Sequence, residues 1–337
     1  MNGKTRIKDI AEMAGVSPST VSNVLNSRKG ASPENMQRIL ELAAELNYEV
    51  PSVSENRGHI RLVVSRKHGL VVMDTQFFAD LIGGIEAECR SNRLDMMMTK
   101  IVMDDSITCR EQIKEICSEN CAGIILLATE LPTEDILNFT ACRSPLMILD
   151  NSAPHLPVNT VAIHNKEAGY QAAKQLADAG HRHIGYIGSD PDFNNMGERR
   201  SGFLTFLKEN GIKHNDGDDF YLTPTIDGAC ADMDAILSKE KRTLPTAFFA
   251  ANDILAIGAI RAMQQHGLKL PDDVSVIGMD DLALCRIVTP NLDSIRVPRK
   301  EMGRTAVQQL LQENNCLLKT FVNIEPVKRE SIRIISE

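Results

Sequence analysis

The sequence predicts an α/β protein: an all-α N-terminal module followed by a two-lobed, doubly wound α/β domain. Three observations carry that prediction. Residues before Gly58 hold three helix-spaced apolar runs and no strand signal. Beyond Gly58, short apolar runs alternate with amphipathic segments, the pattern of parallel sheets covered on both faces. These alternations are too many for one compact sheet, and 337 residues suffice for a small module plus a large two-lobed one.

In chain order, Ile7, Ile10, Ala11 and Ala14 repeat at helical spacing, and Gly15-Val16 supplies a tight turn. Ser17 followed by Pro18 is an N-cap with proline at the first helical position. Val21, Val24 and Leu25 then form the inner face of a second helix that ends near Asn26. Ser32-Pro33-Glu34 repeats the start signal for a third helix, with Ile39, Leu42, Ala43 and Leu46 on its buried side. Strands are expected at 61–64, 96–101, 123–127, 146–149, 184–187, 247–250 and 274–278. Helices are expected at 78–89, 108–117, 166–179, 199–210, 254–266 and 299–311. The expected domains are therefore a helical module at 1–48, a linker at 49–60 and the α/β domain at 61–337. Its first lobe takes about 61–163 and 296–319, and its second about 164–295 and 320–337. Sheets of this kind bind ligands at the carboxyl ends of their strands, so two facing lobes place a site in the cleft.

A hydrophobic content of 43% supports a sizeable core. No apolar run reaches the length of a membrane span and no basic-then-apolar leader opens the chain, so a cytoplasmic protein without membrane contact is expected. Cys117 and Cys121 share a helical face, which leaves a metal or disulfide role open. With no CxxC pair among eight cysteines, the expectation is buried free thiols in a reducing compartment. A net charge of −8 argues against a nucleic-acid partner, but its distribution argues for one. Within residues 1–30, Lys4, Arg6, Lys8, Arg28 and Lys29 face only Asp9 and Glu12, a basic tip on an acidic body that would turn one end toward phosphates. The lack of tryptophan weighs against a sugar site built on stacked indoles.

The segment from Ile7 to Asn26 has the build of a helix-turn-helix. Ala11 lets two helices pack closely, Gly15 permits the turn, and the second helix offers a polar face of Ser19, Thr20, Ser22 and Asn23. An ordinary helical hairpin could carry a polar face too; the double capping and the small-residue placement favour the DNA-binding form. The segment resembles the helix-turn-helix of the lactose-repressor family. That resemblance puts base-reading positions on Pro18, Ser19 and Asn23, with Ser17, Thr20, Ser22 and Asn26 completing the DNA-binding set. Pro18 cannot read bases by hydrogen bonding, so its role is to start the helix. Asn23 stands where many relatives have arginine, which replaces a guanine contact with a bidentate adenine contact. After the third helix, relatives continue with tyrosine, proline and an alanine-arginine-leucine helix that wedges into the minor groove. Here Tyr48 and Pro51 remain but that triplet is absent, and Glu49 and Glu55 oppose phosphate, so a linker with Arg57 touching the DNA backbone is expected instead.

The resemblance extends along the chain through 77–86, 180–187, 251–253 and 278–281, and it implies the fold of periplasmic sugar-binding proteins. It also implies an effector site at Phe78, Asp150, Phe193, Arg199, Thr223, Asn252 and Asp280. Carboxylates, an arginine fork and an amide converging on a cleft suit a carbohydrate, because each can pair adjacent hydroxyls. Phe78 and Phe193 are stacking faces or simply core. Asp280 and Asp281 read as one cleft carboxylate and one helix cap rather than a catalytic pair. His181 and His183 sit at a helix-to-strand turn, where a structural role outweighs a metal site. The loop at 65–76 is long and basic; it either admits an acidic or phosphorylated sugar or is only solvated.

No phosphate loop, zinc-protease or nucleophile-elbow pattern occurs, so neither catalytic residues nor cofactor or metal are expected. The expected function is a homodimeric, sequence-specific transcription repressor that binds double-stranded operator DNA and answers to a small effector of the sugar class. The absence of a leucine heptad tail favours dimers over tail-linked tetramers. The alternatives are a cytoplasmic sugar-binding protein and an α/β enzyme, neither of which accounts for the helix-turn-helix.

Overall fold

A computed structural model describes residues 7–25, 31–46, 58–71, 75–104, 106–239, 243–312 and 316–335. The chain divides into two compact units, Met1–Arg57 and Gly58–Glu337.

In the first unit, α1 (Ile7–Ala14), α2 (Pro18–Leu25) and α3 (Pro33–Glu45) enclose a core of Ile10, Ala11, Ala14, Val21, Val24, Ile39 and Ala43. Gly15, between α1 and α2, has φ +68° and no atom within 4 Å of where a Cβ would stand. Glycine is therefore required by the backbone turn and not by packing. The Ser17 hydroxyl accepts from the Thr20 amide at 3.1 Å and the Ser32 hydroxyl from the Asn35 amide at 3.3 Å, so both expected caps form.

The second unit holds two six-stranded sheets. The first contains β1 (His59–Arg66), β2 (Asp95–Val102), β3 (Gly123–Leu127), β4 (Leu146–Leu149), β5 (Asn159–Ile163) and β11 (Lys319–Val322), in the order β11-β5-β4-β3-β1-β2. All its pairings are parallel, and Leu62 lies opposite both Met98 and Ile125. The second contains β6 (Ile184–Ser189), β7 (Asp219–Leu222), β8 (Ala247–Ala250), β9 (Ser275–Asp280), β10 (Asp293–Arg296) and β12 (Glu325–Val327), in the order β12-β10-β9-β8-β6-β7. Only β12 runs antiparallel there. Strands such as β3, buried along their whole length, read as unbroken apolar runs because helices cover both faces.

The helices are α4 (Gln76–Ser91), α5 (Ile107–Ser118), α6 (Thr133–Leu137), α7 (Asn165–Asp178), α8 (Asn194–Glu209), α9 (Ile226–Lys239), α10 (Asp253–Gln265) and α11 (Arg299–Leu311). Helices α7 and α8 meet at Gly169 and Gly202. A Cβ at either would stand 1.8 Å from a carbonyl oxygen, of Arg199 and Lys166 respectively. That contact sets the position of Arg199 on α8.

The strands expected from the sequence are present, and β5, β7, β10, β11 and β12 add to them. Lys319–Val322 pairs with β5 in the first sheet and β12 with β10 in the second, so the chain returns to the second lobe after Val322. A correction concerns the cysteines. Cys117 and Cys142 form a disulfide 25 residues apart, while Cys89, Cys109, Cys121, Cys230, Cys285 and Cys316 are free. Among the described residues, no helix is long and apolar enough to cross a membrane.

Candidate DNA-reading helix and effector cleft

Helix α2 presents Ser17, Pro18 and Ser19 exposed at its start, with Thr20 half-buried. The Ser17 oxygen is already committed: besides its cap it lies 2.7 Å from Ser19 Oγ and 2.8 Å from Thr20 Oγ1. Ser22 and Asn23 belong to α2, whereas Asn26 and Arg57 fall outside the described residues, as does the linker around Tyr48 and Pro51.

In the second unit a cavity of about 300 Å³ lies at the carboxyl ends of strands from both sheets. It brings together Phe78 on α4, Asp150 after β4, Phe193 and Arg199 at and within α8, Asn252 before α10, and Asp280 at the end of β9. Both phenylalanines are at once buried and cavity-lining, so neither the stacking nor the core reading displaces the other. Thr223 does not line the cavity. Its amide donates to Asp232 at 2.7 Å, and its neighbours Pro224 and Thr225 form the wall instead.

The two carboxylates are held in unusual conformations. Asp150 has φ +60° and Asp280 φ +111°, and strained backbone of this kind persists where the surroundings over-determine it. Burial pushes the Asp150 carboxyl up to about 6, against the opposing influence of Thr129, Arg199 and Asn195. Burial likewise raises Asp280, with Asp253 and Asp150 adding to the rise and Arg199 and Arg299 opposing it. Thr129 donates to Asp150 Oδ2 at 2.7 Å. Arg199, only 5% exposed, donates through Nε to Asn165 at 2.9 Å and through Nη1 to the Ala251 carbonyl. Its fork is thus fixed before any ligand arrives, which lowers the entropy lost on binding. Asn252 uses its oxygen to cap α10, accepting from the Leu255 amide at 2.9 Å, which leaves its amide N–H groups as the available donors.

Asn195 is a cleft residue that sequence reasoning missed. It precedes Arg199 by one helical turn on α8, a spacing that places both on one face. Its Nδ2 donates to Asp150 of the other lobe, at 3.0 Å to the carbonyl and 3.3 Å to Oδ1. Asn195 Oδ1 and Asp280 Oδ1 are buried oxygens without partners; the first can only accept, whereas the Asp280 carboxyl, pushed up to about 8, can donate or accept. Ser152 donates to Glu198 at 2.7 Å and the His68 ring lies 5.3 Å from that of Phe193, two further links between lobes.

The basic loop turns its charges away from the cavity. The fully buried carboxylate of Glu130 accepts from the backbone amides of Lys67, His68, Gly69 and Val71 at 2.8–3.1 Å. Lys67 Nζ pairs with Asp135 at 2.7 Å, and the loop offers the cavity Leu70 and Val71. Among the described residues lining the cavity, Arg199 is the single cation, beside Asp150, Asp227 and Asp280.

Asp281 is not a helix cap. It bonds Arg296 at 2.7 Å and also Arg329, and although burial alone would raise it, these two partners hold its carboxyl below the usual range. His181 is buried against Thr246 at 2.9 Å, with burial lowering its proton affinity, and His183 meets Asp218 at 2.9 Å; both serve the turn before β6.

The sequence profile of bacterial regulatory proteins of the lacI family matches residues 6–51, and that of a periplasmic binding protein-like domain matches 157–332. The ribose operon repressor of Haemophilus influenzae is 31% identical over 97% of this chain and 98% of its own. The HTH-type transcriptional repressor PurR of Pasteurella multocida is 30% identical, covering 92% of each chain. The lac repressor dimer bound to operator and the anti-inducer ONPF superposes with a TM-score of 0.77 at 22% identity, over 98% of this chain and all 100% of that one. A LacI family regulator from Enterococcus faecium with bound ribose gives 0.67 at 23% identity, over 82% of this chain and 100% of its own. At such identities the two structures speak to fold alone. Together with the helix-turn-helix, the profiles and full-length relatives establish that this chain belongs to the lacI family of bacterial transcription regulators.

Proposed function

We propose that the protein is a cytoplasmic, homodimeric repressor whose grip on its operator is set by a neutral polyhydroxyl effector in the cleft. The observation that carries the effector class is the pair of unpartnered buried oxygens, Asn195 Oδ1 and Asp280 Oδ1, beside the fixed Arg199 fork. A sugar's hydroxyls satisfy all three, donating to Asn195, accepting from the fork and doing either at Asp280. A phosphate ester gives Asn195 Oδ1 no donor and meets a wall with three carboxyl groups and one cation. An acidic or phosphorylated effector is accordingly the weaker reading of the loop at 65–76. The ribose operon repressor of Haemophilus influenzae, 31% identical, supports the same class.

Ser19 and Asn23 read bases in this proposal, Ser17 and Pro18 build the start of the reading helix, and Thr20, Ser22, Asn26 and Arg57 hold phosphates. The effector adds contacts across the lobes, which favours the closed arrangement and shifts the population of dimer geometries. The lac repressor dimer on its operator is the precedent for two-fold assembly on DNA.

The test is a gel shift of the full chain on the DNA upstream of its own gene, followed by a thermal-shift screen of neutral sugars and sugar phosphates. Operator binding that is lost when residues 1–57 are removed supports the repressor, and binding unaffected by that removal rejects it. Stabilisation by phosphate esters alone rejects the neutral effector.

A further inference from the structure

We propose that Cys117 and Cys142 form a thiol–disulfide exchange site that selects anionic low-molecular-weight thiols. The disulfide ties the last turn of α5 to the segment following α6. Beside it opens a cavity of about 410 Å³, separate from the effector cleft and lined by Arg110, Lys114, Cys117, Asn138 and Arg143 among others. Arg110, Lys114 and Cys117 stand at positions i, i+4 and i+7 of α5, so one helical face carries two cations and the sulfur. Arg143 follows Cys142 in sequence, and its amide donates to the Cys117 carbonyl at 2.9 Å, which keeps it at the cavity.

Charge separates this cavity from the effector cleft: among the described residues, Arg110, Lys114 and Arg143 line it with no carboxylate, whereas the cleft has one cation and three carboxyl groups. Glu119 is engaged by Arg61 and His59, and Asp135 by Lys67. Arg110, Lys114 and Arg143 are exposed, and among the described residues none has an acidic partner. Three unpaired cations around a concave site concentrate anions there. Cys117 lines the cavity and Cys142 does not, so an incoming thiolate meets Cys117 first.

The exchange balances with two small thiols. The thiolate sulfur of the first bonds to Cys117 Sγ as the Cys117–Cys142 bond breaks, and the electron pair leaves on Cys142 as its thiolate. A second thiolate of the same class attacks the sulfur of the attached small thiol, releasing a symmetric small disulfide and the Cys117 thiolate. Two small thiols are oxidised, the protein disulfide is reduced, and protons exchange with water. A carboxylate on the thiol is what the cations recognise.

The experiment follows loss of the Cys117–Cys142 cross-linked peptide in the full-length protein by non-reducing peptide mass spectrometry, with released thiols alkylated. Three probes, 3-mercaptopropionate, 2-mercaptoethanol and cysteamine, are compared at equal thiolate concentration and normalised to their rates with an uncharged small disulfide. At low salt 3-mercaptopropionate is expected to react about tenfold faster than cysteamine, with the gap shrinking as salt screens the cations. The double substitution Lys114→Glu and Arg143→Glu lies on exposed positions and should reverse the order while leaving Tm nearly unchanged. Rates indifferent to thiol charge, or an order that the double substitution does not alter, overturn the proposal. So does recovery of both cysteines as free thiols after treatment with oxidised glutathione.

Discussion

Helix α2 and the effector cleft are both polar working surfaces, and they are built in opposite ways. At α2 the start of the helix is exposed, with short hydroxyls over a small apolar core. In the cleft the polar groups are buried, cross-bonded between lobes and held at strained φ values. The difference teaches where function and stability are coupled. A substitution on α2 should change recognition and leave folding nearly alone, whereas a substitution in the cleft should disturb both, because a buried polar group that loses its partner retains its desolvation penalty.

The largest expected effect is at Glu130. Glu130→Ala removes one buried carboxylate from four backbone amides and should lower the unfolding free energy by about 3–5 kcal/mol in urea titration. A loss below about 1 kcal/mol would mean that the 67–71 loop does not depend on that anchor.

Next comes the pH response of Asp150. Its carboxyl binds a proton more tightly in the folded protein, near 6, than at the ordinary value of 3.8, so the folded state carries the penalty of an ionised buried group above about pH 6. The penalty is relieved as pH falls through that value and is absent below the ordinary one, so this group makes stability fall with rising pH across the window between them. Asp150→Asn keeps the shape without the charge. Relative to wild type it should gain on the order of 3 kcal/mol between pH 4 and pH 7, read as the difference of the two urea midpoint profiles. Parallel profiles would show that Asp150 titrates normally.

Asn23→Ala tests the other region. It should cost about 1–3 kcal/mol at operator variants carrying one particular base and little elsewhere, by gel shift across a substituted operator set. Uniform loss on every variant would assign Asn23 to phosphate. The smallest effect is Ser17→Ala, which should lower the stability of the helical unit by about 1 kcal/mol through the lost cap.

Legibility in the sequence follows the same division. Helix α2 was readable in full because its signals are local: Ser17-Pro18 starts it, Gly15 makes the turn before it, and helical spacing gives its inner face. Most strands were readable because a buried parallel strand is an apolar run. Three of the five missed ones break that rule, since β7 is an edge strand with Tyr221 exposed and β10 and β11 begin with Asp293 and Lys319; β5 is buried from Thr160 to Ile163, but its first two residues are polar. Most of the cleft was legible from residues at strand ends. Asn195 was not, since only the packing of α8 across the lobes aims it at Asp150, and Thr223 was placed two positions from Thr225, which lines the wall. The partners of the basic loop could not be foreseen because Glu130 lies about sixty residues away in the chain. The Cys117–Cys142 pairing is hidden for the same reason, by the fold between α5 and the segment after α6.

The most direct test of this division of labour is fluorescence anisotropy of labelled operator with wild-type protein and Arg199→Ala, with and without the neutral sugar that stabilises the wild type most. The expected result is equal operator affinity for the two proteins without sugar, a sugar-dependent change of tenfold or more in the wild type, and none in Arg199→Ala. A sugar response that survives in Arg199→Ala, or a wild type that answers only to a phosphate ester, would contradict the account.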